Sequence, residues 1–246
     1  MNCVKLFSQL SALGLVCLSA STIAHADTVT VNATDSVYSV TPALLATIGG
    51  TAPTAINILP GTTYITFSAT GSVSVNGGGN YNNADGIGSV QFENNDGIGS
   101  LSGINSPTAG YIAGVFLGAG GPSGSAPAGL DFGGQVGTSF LSLSPLLDQV
   151  FFVGDGLMNG SNILITQKFY VPTGATQLYL GLADACGYSG PPSCLTDNIG
   201  SFQVTYNEVG GAPVNPSPVP EPSSFVLLGS GVLGAAGAVR RRFSSR

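Results

Sequence analysis

The chain has 246 residues, with 6 Lys+Arg against 12 Asp+Glu, one His and four Cys. The histidine is His25, close to the N-terminus, so residues 27–219 hold no histidine and only Cys186 and Cys194. That inventory excludes a Ser-His-Asp triad, a Cys-His pair and a His-ligated zinc site across the central region.

Residues 1–26 read as a secretory signal. Lys5 supplies the positive start, Leu6 to Ala20 is mostly apolar, and Ala24-His25-Ala26 is an A-x-A cleavage site. The apolar run is too short for a membrane anchor. Cys17 belongs to it. The Sec export machinery is therefore an expected partner, and the compartment reached is oxidising.

Residues 27–209 read as one domain of the all-β class, an antiparallel β-sandwich. Short alternating runs bounded by Gly, Pro and Asn dominate, and helical periodicity is scarce. Strands are predicted at Thr28–Val31, Tyr64–Thr70, Ser72–Val75, Tyr111–Leu117, Val150–Val153, Ile163–Val171, Leu178–Leu182 and Ser201–Asn207. In Tyr64–Thr70 the alternation places Ile65, Phe67 and Ala69 toward the core. Lys168 is the only Lys or Arg between Asp27 and Val219, against eleven acidic residues. A domain of charge near −10 repels phosphate backbones, so no nucleic-acid partner is expected. Lys168 reads as an outward-facing, solubilising residue of a strand rather than as half of a Ser-Lys dyad. No two carboxylates are placed by sequence for glycoside hydrolysis, and no enzyme is expected.

Gly77–Gly103 differs in composition. Ala84-Asp-Gly-Ile-Gly-Ser89 recurs eleven residues later as Asn95-Asp-Gly-Ile-Gly-Ser100. Asp-Gly pairs favour tight turns. Asp85, Glu93 and Asp96 offer carboxylate oxygens suited to calcium, but neither copy has a calcium-loop spacing. The segment reads as a long, partly flexible loop.

The most suggestive chemistry lies in 178–204. A strand ends at Asp184, a loop carries Cys186 and Cys194, and Asp197-Asn198 precede the next strand. Pairing of the two strands brings Asp184, Asp197 and Asn198 to one end of a sheet. These are hard oxygen ligands of the kind Ca²⁺ prefers. The alternative is a stapled hairpin whose Asp and Asn are turn residues. In either case an oxidising compartment favours a Cys186–Cys194 disulfide.

Residues 210–219 form a Pro-rich linker. Residues 220–246 then hold Pro220-Glu221-Pro222, an apolar run giving a transmembrane helix at about 223–239, and a basic end at 240–246 that opens with Arg240-Arg241-Arg242. The run is marginal against the ~20 residues a spanning helix needs.

This tail resembles the PEP-CTERM sorting tail of Gram-negative bacteria. The resemblance implies passage across the inner membrane, transient anchoring there, processing by an exosortase, and release to the cell surface or beyond. It also implies an association with exopolysaccharide.

Tyr64-Ile-Thr-Phe-Ser-Ala-Thr-Gly71, together with 178–206, resembles the PA-I-type galactose-binding calcium lectins. That resemblance implies a galactose-binding-like, jelly-roll type of sandwich. It implies a Ca²⁺ cofactor held by Asp184, Asp197 and Asn198 with the carbonyls of Val75 and Cys194, and binding of galactose-type sugars or exopolysaccharide. The sequence departs from that pattern in having Asp197 where the family has Asn, a cysteine-bearing insertion, and no histidine to contact sugar. The rival expectation is a non-catalytic structural or adhesive component of the exopolysaccharide matrix or cell surface, with no ligand site.

Overall fold

A computed structural model of the chain describes residues 25–79, 81–86, 92–134, 136–159 and 164–210. The predicted signal helix, the linker from 211 and the C-terminal helix lie outside these residues. All the described residues belong to one compact unit, Met1–Ala212.

The β class is as expected. The longest sheet has five strands in the order β1 (His25–Asn32), β15 (Ile199–Val209), β3 (Tyr64–Ser74), β12 (Lys168–Tyr170) and β8 (Ser142–Leu143). A second sheet has the order β2 (Thr54–Asn57), β13 (Ala175–Leu182), β6 (Ile112–Gly118) and β9 (Val150–Phe152). A third joins β14 (Ser189–Gly190), β4 (Glu93–Asn95), β5 (Ile104–Ser106) and β7 (Leu130–Asp131). A two-stranded ribbon pairs β10 (Leu157–Asn159) with β11 (Leu164–Thr166). The expectation of a purely antiparallel sandwich needs correction. β12–β8, β14–β4 and β5–β7 are parallel, each through a two-residue edge strand too short to impose a direction on its sheet.

The first two sheets share one aromatic core. Phe67 on β3 meets Phe169 on β12 with ring centroids 5.1 Å apart, and Phe169 meets Phe151 on β9 at 5.7 Å. Phe151 stacks on Phe116 of β6 at 5.2 Å. Ile65 and Phe67 are buried as the alternation required.

Four local expectations change. The break predicted between Thr70 and Ser72 is absent, because Gly71 (φ 114°) and Gly200 on the partner strand (φ 104°) let β3 and β15 stay paired through a kink. Ile163–Val171, read as one strand, becomes two strands in different sheets. Buried Gln167 separates them, donating its Nε2 to the carbonyls of Thr138 and Phe140 at 2.9 and 3.0 Å. A helix, α1 (Pro42–Ile48), is present where none was predicted. Thr41 caps it by accepting from the Leu44 N–H, Pro42 opens it and Gly49 (φ 82°) closes it, so its boundary signals were present in the sequence.

The fourth change is the largest. The described parts of 77–103 are integrated into the fold rather than forming a loose loop. Asn82 pairs with Val73, Ala84 and Leu101 are buried in the core, and Glu93–Asn95 is a strand of the third sheet. Two apolar anchors and one strand are enough to tie down a polar, glycine-rich segment.

Candidate functional site

β13 carries the chain to Asp184, and β15 starts one residue after Asn198. At the end of β13, Leu182 donates its N–H to the Asp35 carbonyl at 2.7 Å and accepts from the Val37 N–H at 3.1 Å. Gly181 permits this approach, since a Cβ there would lie 2.6 Å from the Val37 nitrogen and 2.7 Å from the Asp35 oxygen. Past Leu182 the chain enters the interior, and Asp184 is only 3 % exposed.

Cys186 and Cys194 form the predicted disulfide, with Cα atoms 5.2 Å apart. The loop they close is drawn against its own base by the Ser193 N–H, which donates to the Asp184 carbonyl at 2.9 Å. The bond spans 8 residues. Its loss through Cys186→Ser and Cys194→Ser is expected to cost about 2–3 kcal/mol, read as a lower melting temperature that reducing agent reproduces in the unmutated chain. Equal melting of oxidised and reduced protein would count against it.

The loop returns Asn198 to Asp184. The Asn198 Nδ2 donates to Asp184 Oδ2 at 2.8 Å and to the Ala33 carbonyl at 3.1 Å, and Asn198 is 5 % exposed. Asp197 has an exposed side chain and meets the rest of the site through its backbone carbonyl, which accepts from the Gly77 N–H at 3.0 Å. Val75, half-buried, lies two residues before that contact, and Cys194 (φ 63°) opens the short 3₁₀ turn Leu195–Asp197. Of the five residues named from sequence, the structure thus joins the side chains of Asp184 and Asn198 directly and leaves that of Asp197 at the surface.

A residue of β4 completes the interior group. Glu93 is 1 % exposed and accepts from the Asn95 Nδ2 at 2.7 Å. Burial, then the charge of Asp184, push the Glu93 carboxyl up to about 8, while the Asn95 and Ala185 donors oppose this. Burial and the charge of Asp197 raise Asp184 to about 7 against the opposing Asn198 bond and the same Ala185 N–H. Tyr38 and Tyr111, both fully buried, border the group, and burial raises both hydroxyls. Sequence reasoning named Glu93 as an oxygen donor but placed it in a loop. Its depth comes from an inverted strand, in which Phe92 is 59 % exposed and Glu93 and Asn95 point inward.

Of the other buried carboxylates, Asp35 and Glu208 each accept more than one hydrogen bond, whereas Asp148 accepts from the Ser123 N–H and keeps a buried Oδ1 without a partner. Asp35 accepts from the Asn32 N–H, the Thr51 hydroxyl and the Thr54 hydroxyl, and Glu208 accepts from the Leu59 N–H and the Thr62 hydroxyl. Among the described residues, no group of three or more His, Cys, Asp and Glu could hold a metal.

Elsewhere, a cleft of about 240 Å³ is lined by Asn83, Asp85, Gly86, Thr108, Thr138, Ser139 and Leu157. Asp85, in this lining, accepts from the Asp155 N–H at 2.9 Å. Lys168 is exposed, as expected, with its ammonium 5.1 Å from the Tyr64 ring centroid.

The sorting-tail residues lie past the described region. Residues 218–242 match the PEP-CTERM protein-sorting motif. The match takes in Pro220, Glu221, Pro222 and Arg240 to Arg242. It supports an exported, exosortase-sorted protein and says nothing of the exported domain. No curated protein and no solved structure matches the chain. Among the described residues no helix is long and apolar enough to cross a membrane, and the predicted 223–239 span lies outside them.

Proposed function

We propose that the exported domain is a jelly-roll-type sandwich that binds glycan without turning it over, and that it works at the cell surface or in the producer's exopolysaccharide once the tail has been processed. The observation that carries this reading is the cleft between Asn83 and Ser139. Its lining is hydroxyl, amide and carboxylate around one apolar residue, Leu157. Such a surface matches a sugar, which offers hydroxyls in many directions and a small apolar face. Ligands of the galactose type and the producer's own polysaccharide both have that chemistry. The calcium implied by the lectin resemblance would draw on Asp184 and Asn198, which face each other in the interior, so metal and sugar would occupy different places.

The full chain in mild detergent, applied to a glycan array that includes the producer's exopolysaccharide, tests the reading. Retention is expected, and the pair Thr138→Ala and Ser139→Ala is expected to weaken it about tenfold, the equivalent of one lost hydrogen bond. No retained glycan, or retention indifferent to these changes, would favour the matrix-component reading instead.

A further inference from the structure

The interior group of Glu93, Asn95, Asp184 and Asn198 has more acceptors than donors. β4 pairs with β14 of the disulfide loop that follows Asp184, which brings Glu93 toward Asp184, and each carboxylate takes one side-chain hydrogen bond from an amide, Asn95 or Asn198. Donating those bonds leaves Asn95 Oδ1 and Asn198 Oδ1 buried with no partner, and Glu93 Oε2 and the hydroxyls of Tyr38 and Tyr111 share that condition. The four residues that carry the group are 1–5 % exposed. Leaving such atoms without partners is costly in a protein interior.

No basic side chain offsets the two carboxylates. The only Lys or Arg among the described residues is Lys168, which sits over Tyr64. Asp35 shows a buried carboxylate supplied with donors on both oxygens, while Asp148 keeps a single oxygen without a partner. The Glu93–Asp184 group gathers several unpartnered oxygens in one place, beside two carboxyls that no basic side chain offsets. Oxygen-rich and histidine-free, it matches a hard divalent cation in both ligand type and charge.

We propose that Glu93, Asn95, Asp184 and Asn198 form a buried structural Ca²⁺ site that ties β4 to the junction of β13 and β15. The ion's ligands come from the two carboxylates and the two free amide oxygens. A site this deep cannot bridge sugar hydroxyls, so its role is to lock the disulfide loop and the 77–103 segment onto the sandwich. It is independent of glycan binding in the cleft, and either can fail without the other.

The full chain, purified in mild detergent and dialysed against Ca²⁺ or EDTA, supplies the test. One tightly held calcium per chain is expected by elemental analysis. At a hundredfold excess of Ca²⁺ over its Kd the melting temperature should rise by roughly 5–10 °C relative to EDTA. The chain has no Trp. Tb³⁺ bound at this site should therefore luminesce on tyrosine excitation through Tyr38 and Tyr111, and Ca²⁺ should quench that emission. Glu93→Gln and Asp184→Asn should each remove the ion, whereas Asp27→Asn, on exposed β1, should retain it. No calcium held by the unmutated chain would overturn the proposal whatever the variants do. An ion kept in Glu93→Gln but lost in Asp197→Ala would overturn it in favour of a surface site.

Discussion

Replacing Phe169 by alanine is expected to remove about 3–5 kcal/mol of stability. The side chain is 0 % exposed and lies at the meeting point of both large sheets. Its ring centroid is 5.1 Å from Phe67, 5.7 Å from Phe140 and 5.7 Å from Phe151. β12 is only three residues long, pairing with β3 at Phe169 and Tyr170 and with β8 at Lys168 and Phe169, so few backbone hydrogen bonds share the load. The ring is what holds that strand down. Its loss leaves a cavity walled by aromatic rings that cannot easily collapse, which puts the cost at the upper end for such changes. A fall in melting temperature of roughly 6–20 °C should follow for a domain of this size. Leu164→Ala, at a residue 64 % exposed in the ribbon, should stay within about 0.5 kcal/mol of the parent. Thermal unfolding followed by circular dichroism separates the two. Comparable losses for both would mean that Phe169 is not the clamp described.

How far the sequence carried this picture depends on the range over which each residue acts. The tail could be read from Pro220 to Arg242 because its motif is contiguous. Ile65 and Phe67 could be read because strand alternation is a local rule. The Cys186–Cys194 bond followed from export and close spacing. Asp184 and Asn198 were placed together because two strands flank one closed loop. Glu93 could not be added to them by the same reasoning. It lies about ninety positions away, in a segment whose glycines and asparagines read as loop, and its inward orientation inverts the usual burial order of Phe92 and Glu93. Only long-range pairing of β4 with β5 and β14 settles it. Gln167 misled for a related reason. An apolar-polar alternation through Ile165, Gln167 and Phe169 looks continuous, yet the polar member turns inward to satisfy two carbonyls of a distant loop. α1 is the one element whose caps were legible and were overlooked, because seven residues are too few to establish a helical period.

In EDTA, the protein is expected to lose stability as pH rises from 5 to 8. The groups responsible are Glu93 and Asp184, raised to about 8 and about 7 by burial first and then by neighbouring negative charge. The groups around them are neutral or acidic: Tyr38, Tyr111, Asn95 and Asn198, with the charge of Asp197 bearing on Asp184 and that of Asp96 on Tyr38. A carboxyl whose folded pKa is raised binds its proton more tightly folded than unfolded. Its contribution is fully present below the unfolded pKa, about 4, and is lost as pH climbs through the folded values. Two such groups give a total on the order of several kcal/mol, measurable as a steady decline in melting temperature across buffers from pH 5 to 8. A melting temperature that climbs over that range would contradict the reading, and Glu93→Gln should flatten the slope because its amide has no proton to lose. Calcium should act in the opposite sense. By taking the place of the protons it would release them on binding, and it should raise the melting temperature more at pH 8 than at pH 5. A protein exported to conditions its producer does not control would then keep this junction closed by proton or by metal, whichever the surroundings supply.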